Sequence, residues 1–246
     1  MANFFNRPHI AADFREEAKS YCSLDADKLA VIYLVYFAIS IVICALDAFT
    51  GKTSVVDGVE YQNTWLSSGF TLLCSGPFAI SFAYIAKNVH KGIEPRIENL
   101  LEGFKDFGRA LVIYLLQSIF TLLWALLLII PGIIKSISYS MAFYVAMDNK
   151  ELSAKECIKE SQRLMDGCKW QYFCLMLSYI GWIILSCLTF GILFLWVLPR
   201  MQQASYLFYL DISGKGLEEE RQAKLFDELE KKKSQINSDF ETSDTE

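Results

Sequence analysis

The sequence predicts an all-α, polytopic membrane protein: a bundle of six transmembrane helices with both termini cytoplasmic. It further predicts repeated helical hairpins joined by cytoplasmic amphipathic connectors. Three observations carry this. The chain is 53% hydrophobic and 14% aromatic, yet its charge is confined to four stretches. The segments between them are nearly charge-free and long enough for a bilayer core of roughly 30 Å, which takes about 20 residues. Lys and Arg then alternate between rich and poor loops, as the positive-inside rule requires.

The apolar segments run at about 29–48, 69–89, 109–130, 131–147, 171–189 and 191–210. The N-terminal arm holds Arg7, Arg15, Lys19 and Lys28. The second loop holds Lys87, Lys91, Arg96, Lys105 and Arg109, and the fourth holds Lys150, Lys155, Lys159, Arg163 and Lys169. Against these, the first loop has only Lys52, and the third and fifth loops are too short to carry charge. This divides the chain into a cytoplasmic arm (1–28), a six-helix domain (29–211) and a charged cytoplasmic tail (212–246). The tail carries ten acids against six bases, and its last residues, 237–246, read as disordered. The first helix serves as its own insertion signal, since no cleavage site follows it.

The chain repeats itself. Leu100-Leu-Glu-Gly-Phe-Lys105 is echoed by Leu164-Met-Asp-Gly-Cys-Lys169. Lys135, Ser140, Phe143 and Tyr144 are echoed by Arg200, Ser205, Phe208 and Tyr209. Each unit reads as an amphipathic segment, a Gly-x-Lys, a helix, a tight outer turn, and a helix with a cation. Ser81-Phe-Ala-Tyr84 gives the first third the same plan with weaker matches. Of the connectors, Ser153-x-x-Glu156 fits a helix capping box. Ile93, Ile97, Leu100, Leu101 and Phe104 recur at helical spacing, suited to the inner leaflet or to the bundle's cytoplasmic face.

Arg200 is the most informative single residue. The apolar run from Gly191 to Leu198 covers only ~12 Å. The span therefore closes only by running through Arg200, which puts that cation near mid-membrane, where a charge is a functional-site hypothesis. Lys135, Tyr139, Ser140 and Tyr144 on the fourth helix, and Ser205, Tyr206 and Tyr209 on the sixth, supply further polar groups. Such faces turn away from lipid. A phosphate suits a guanidinium, whose planar fork matches its oxygens. These eight residues form the expected ligand site. Pro131 fits a first turn, and Pro199 frees the carbonyl of Leu195 and kinks the sixth helix.

Catalytic signatures are missing. There is no Walker loop, HExxH or G-x-S-x-G, and the two histidines, His9 and His90, lack companions at metal spacing. The seven cysteines form no CxxC and read as small apolar fillers. No enzymatic activity, cofactor or metal is expected. The expected partners are the lipid bilayer and its anionic headgroups, and a protein reached through the cytoplasmic helices or tail; no nucleic acid is expected. The function this supports is a non-enzymatic accessory or scaffold protein whose polar core holds an anionic lipid or small anion. The alternative is a small-solute or lipid transporter using the same core.

Several motifs resemble one family. Pro131-Gly-Ile-Ile-Lys-x-x-x-Tyr-Ser-Met141, Ala146-Met-Asp148, Ser178-Tyr-Ile-Gly-Trp182, Leu188-Thr-x-Gly191 and Phe208-Tyr209 are similar to the signature of a bacterial integral membrane family catalogued as domain of unknown function 975. The resemblance extends over roughly 1–212, with its specific motifs in 131–210. It implies about six helices in a bacterial cytoplasmic membrane. A more distant resemblance is to the membrane domain of glycerophosphodiester phosphodiesterases, whose catalytic domain this chain lacks. The family pattern has a tyrosine after the sixth-helix proline, where this chain has Arg200, so the resemblance assigns that arginine no role.

Overall fold

In a computed structural model, the described residues are 11–50, 53–56, 59–62, 65–189, 191–219, 221–222 and 225–226. The predicted disordered stretch 237–246 lies outside them. The architecture is helical, with one short hairpin. Helix α1 (Ala11–Leu24) leads into α2 (Ala26–Thr50), and α3 (Trp65–His90) follows. Between α2 and α3, strands β1 (Thr53–Val56) and β2 (Val59–Gln62) pair antiparallel, Thr53 opposite Gln62 and Val56 opposite Val59. An all-α reading misses this hairpin, although Asp57-Gly58 is a strong turn signal. Then come a 3-10 segment (Ile97–Asp106), α4 (Phe107–Leu127), α5 (Ile129–Tyr139), α6 (Ala142–Asp148), α7 (Ala154–Leu164), α8 (Lys169–Ser178), α9 (Ile180–Leu188) and α10 (Phe194–Ser213).

Four helical stretches are long and apolar enough to cross a membrane: Ala26–Thr50, Leu66–His90, Ile97–Leu126 and Lys169–Leu188. This identifies a membrane protein. The sequence expected six such helices, and two of them fall short. The stretch 131–147 is not one helix but two, α5 and α6, broken at Ser140 and Met141. The break has an identifiable cause. Ser161, on α7, accepts from the Met141 amide (3.2 Å) and donates to the Ser138 carbonyl (2.8 Å). Its hydroxyl thus satisfies a donor and an acceptor that a break would otherwise strand. The stretch 191–210 forms α10, which carries Arg200, Gln202 and Gln203 and buries everything from Gln203 to Leu210.

The chain forms three units, each an amphipathic segment followed by a helical hairpin. The amphipathic segment of one unit packs on the returning helix of the unit before it. The 3-10 segment packs on α3, where the Gly103 amide donates to Ser81 Oγ (2.9 Å). Here α3 and the 3-10 segment approach so closely that a Cβ on Gly103 would lie 1.9 Å from the Pro77 carbonyl oxygen. Helix α7 packs at the α5–α6 break through Ser161. Helix α1 packs on α10, the Phe14 and Phe208 rings meeting edge-on at 5.4 Å. The first segment therefore closes the series against the last hairpin, so residues 11–24 are a docked helix and not a free arm.

Burial sorts along each hairpin. The tips expose apolar side chains, among them Phe49, Leu122, Leu126, Ile130 and Leu188. The opposite ends pack a core rich in tyrosine and serine, with Tyr144, Tyr206, Tyr209, Ser161 and Ser205 all buried. Apolar outside and polar inside is the arrangement lipid selects, because a hydroxyl facing hydrocarbon finds no partner. The predicted capping box forms: the Glu156 carboxylate accepts from the Ser153 amide (2.8 Å), and the Glu156 amide bonds back to Ser153 Oγ.

Candidate functional site

At the end of the bundle remote from the hairpin tips, α6 delivers Asp148 to the meeting point of the three units. Lys87 on α3 reaches Asp148 Oδ1 at 2.8 Å. Lys215, just past the left-handed Gly214 that ends α10, reaches Oδ2 at 2.7 Å, and the Tyr209 hydroxyl donates to the same oxygen at 3.0 Å. The Asp148 side chain is 8% exposed. Burial pushes its carboxyl up, but the hydrogen bonds from Lys215 and Lys87 outweigh this and hold it below the usual carboxylate range. Asp148 is thus a charged brace that accepts from three donors.

Tyrosines extend this brace along the bundle. Tyr144 stacks on Tyr209 at 5.5 Å between ring centres. Its hydroxyl donates to the Gln202 carbonyl (3.3 Å) and accepts from Gln202 Nε2 (2.7 Å). Tyr206 lies 6.0 Å from Tyr144, ring to ring, and the Tyr172 hydroxyl bonds Ser205 Oγ at 3.3 Å. The Tyr84 hydroxyl donates to the Met147 carbonyl at 3.4 Å. Arg109 supports α6 from below. Its Nη1 donates to the carbonyls of Asn149 (2.9 Å), Lys150 (2.6 Å) and Leu152 (3.2 Å), and its Nη2 to Ala146. A cation at a helix C-terminus meets the orphan carbonyls and the negative end of the dipole. Past Lys215, Glu219 reaches His90 Nε2 at 3.3 Å. That bond, aided by Lys91 and Lys87, keeps the Glu219 carboxyl below its usual range.

Of the eight predicted site residues, Tyr144, Ser205, Tyr206 and Tyr209 come together here. Ser140 sits at the helix break, its hydroxyl turned back on the Ile137 carbonyl (2.8 Å). Tyr139 is buried near Phe120, at 6.3 Å. Lys135 stands apart, its ammonium 5.2 Å from the centre of the Trp124 ring. Sequence reasoning left Asp148 and Gln202 out of the site and missed Lys87, Lys215 and Tyr172. The signal for the two lysines was their count among the inner-loop charges.

Arg200 is also apart from the core. The sequence expectation put Arg200 in an apolar span with no carboxylate beside it; the structure brings charged residues of α1 to it. Arg200 lines a cavity of about 470 Å³ with Arg15, Glu16 and Lys19 of α1, and with Tyr179, Trp182 and Val197. The Tyr179 hydroxyl donates to the Arg200 carbonyl at 3.3 Å, tying the two walls together. Helix α1 bears Asp13, Arg15, Glu16, Glu17 and Lys19, so Arg200 has charged neighbours that its own span does not supply. Among the described residues, no three His, Cys, Asp or Glu side chains gather as metal ligands would.

Sequence comparison fits the second half of this construction. The family model described as Protein of unknown function (DUF975) matches residues 126–216, from the end of α4 through α10. The match makes that stretch similar to the DUF975 family and leaves the rest of the chain unassigned. The DUF975 segment contains Asp148, Arg200 and Lys215, whereas Lys87, Arg15 and Lys19 come from the chain before it. No curated protein and no solved structure matches. The resemblance to the glycerophosphodiester phosphodiesterase membrane domain gains no support.

Proposed function

We propose that this protein is a non-enzymatic accessory or scaffold protein of a bacterial cytoplasmic membrane, with an anion-binding pocket at Arg200. In this reading all six limbs of the three hairpins span the bilayer, with α5–α6 forming one limb and α8–α9 another. Both termini then lie on the cytoplasmic face with Asp148. The alternation of basic loops supports that orientation. The observation that carries the function is the pocket's charge. Arg200, Arg15 and Lys19 face a single acid, Glu16, around about 470 Å³ of space. Three cations converging on a cavity repel one another unless an anion joins them. An anionic headgroup or a small anion supplies that charge.

The transporter reading would route a solute through the tyrosine and serine core. There Tyr144, Ser205, Tyr209 and Asp148 bond one another and the backbone, which favours a brace over a path. Mass spectrometry of what co-purifies with the wild type and with Arg200→Leu tests the proposal. A phosphate-bearing species retained by the wild type and lost from the variant is expected. The same generic lipid profile from both would remove the anion site.

A further inference from the structure

We infer that the Arg200 pocket takes the headgroup of an anionic phospholipid entering sideways from the bilayer, and that α1 supplies half of the recognition. This rests on the anion-site reading above and names its ligand. Three features of the pocket point to an amphiphile and away from a free anion.

The first is its position. Helix α1 buries Phe14, Ala18 and Cys22 against the protein and turns Glu16 and Lys19 outward. A helix so built rests where hydrocarbon gives way to water, and the pocket lies along it. The second is the polarity of the walls. Arg15, Lys19 and Arg200 supply positive charge, while Tyr179, Trp182 and Val197 supply aromatic and apolar surface. A site for a free phosphate would be walled by donors. This one matches a molecule charged at one end only.

The third is what continues from it. Trp182 is 43% exposed, and Leu185, one turn further along α9, is 45% exposed. On α10, Trp196 precedes Arg200 by one turn and is 41% exposed. An apolar track bearing two tryptophans thus leads away from the charged niche toward the hairpin tip, and tryptophan favours the headgroup boundary. The phosphate sits between Arg200 and Arg15, with Lys19 at the rim. The acyl chains follow the Trp182 and Trp196 track. Glu16 supplies an acceptor, which suits a hydroxylated headgroup such as glycerol.

Trp182 makes this measurable. A full-length chain with Trp65, Trp124, Trp170 and Trp196 changed to Phe reports from the pocket alone. It is reconstituted in phosphatidylcholine vesicles with a minor fraction of phosphatidylglycerol carrying brominated chains, which quench tryptophan on contact. Quenching should exceed that from the same fraction of brominated phosphatidylcholine by about five-fold, the equivalent of roughly 1 kcal/mol. Arg200→Gln should abolish the preference and Arg200→Lys should keep much of it. Arg15→Gln with Lys19→Gln, on the surface of α1, should also abolish it. That double variant decides the matter if Arg200→Gln does not fold. Equal quenching by the two lipids overturns the inference. In that case, inorganic phosphate added to protein in phosphatidylcholine alone separates the readings. A Trp182 emission change that needs Arg200 leaves the anion site standing without the lipid, and no change removes both.

Discussion

Asp148 and Arg200 are both charges carried by the second half of the chain, and the structure treats them in opposite ways. Asp148 receives two lysines and a tyrosine from outside its own unit and is 8% exposed. Arg200 is half-buried at the edge of a cavity, where two of its charged neighbours share its sign. A charge that gathers opposite partners from every unit holds the molecule together. A charge left mostly among its own kind fits the anion site proposed above. The two therefore differ in what their removal should affect: stability for one, binding for the other.

Asp148→Asn gives the largest expected effect on folding. It removes the buried carboxylate that both Lys87 and Lys215 contact, and breaking a buried pair costs about 3–5 kcal/mol, the lower end applying to partly exposed lysines. Thermal unfolding in detergent measures this, and a change within noise would mean that the junction does not brace the units. The same brace titrates, and its sign follows from the depressed pKa. Its contribution is complete above the unfolded carboxyl value of about 3.9 and disappears as pH falls through the lower folded value. The wild type and Asp148→Asn should therefore differ by a constant amount from neutral pH down to about 5 and converge below about 4. A gap that closes near neutrality would assign the effect to another group.

Ser161→Ala should cost less, about 1–3 kcal/mol. It strands the Met141 amide and the Ser138 carbonyl inside the protein. Ser161→Thr keeps the hydroxyl, so recovery in that variant would separate the lost bonds from altered packing. Arg200→Leu should change stability least, within about 0.5 kcal/mol, as expected of a partly exposed side chain with no ion pair among the described residues. If Arg200→Leu unfolded the protein as strongly as Asp148→Asn, the contrast between brace and site would collapse.

The hairpins were legible because lipid imposes a coarse rule that hydropathy reads directly. The capping box at Ser153 was legible because its partner is three residues away. The break at Ser140 and Met141 was not, because its cause, Ser161, lies twenty residues further on and meets it only in the fold. The repeated Gly-x-Lys shows the same limit. Gly103 is glycine because α3 leaves no room for a Cβ, whereas Gly167 is glycine because its backbone turns left-handed at φ +83°. Similar letters here answer different constraints. Arg200 was the sharpest signal in the sequence, but its charged neighbours were not legible. Its surroundings come from α1, whose contact with α10 no local pattern announces.

That contact has a consequence for how the molecule is made. Phe14 of α1 rests on Phe208 of α10, almost two hundred residues later. A ribosome delivers α1 long before α10. Until α10 follows, α1 has only the membrane surface and its contacts with α2, α3 and α8 to cover its apolar face. The cavity between α1 and Arg200 therefore cannot exist before α10 has been made, and any ligand it holds becomes a mark of that stage.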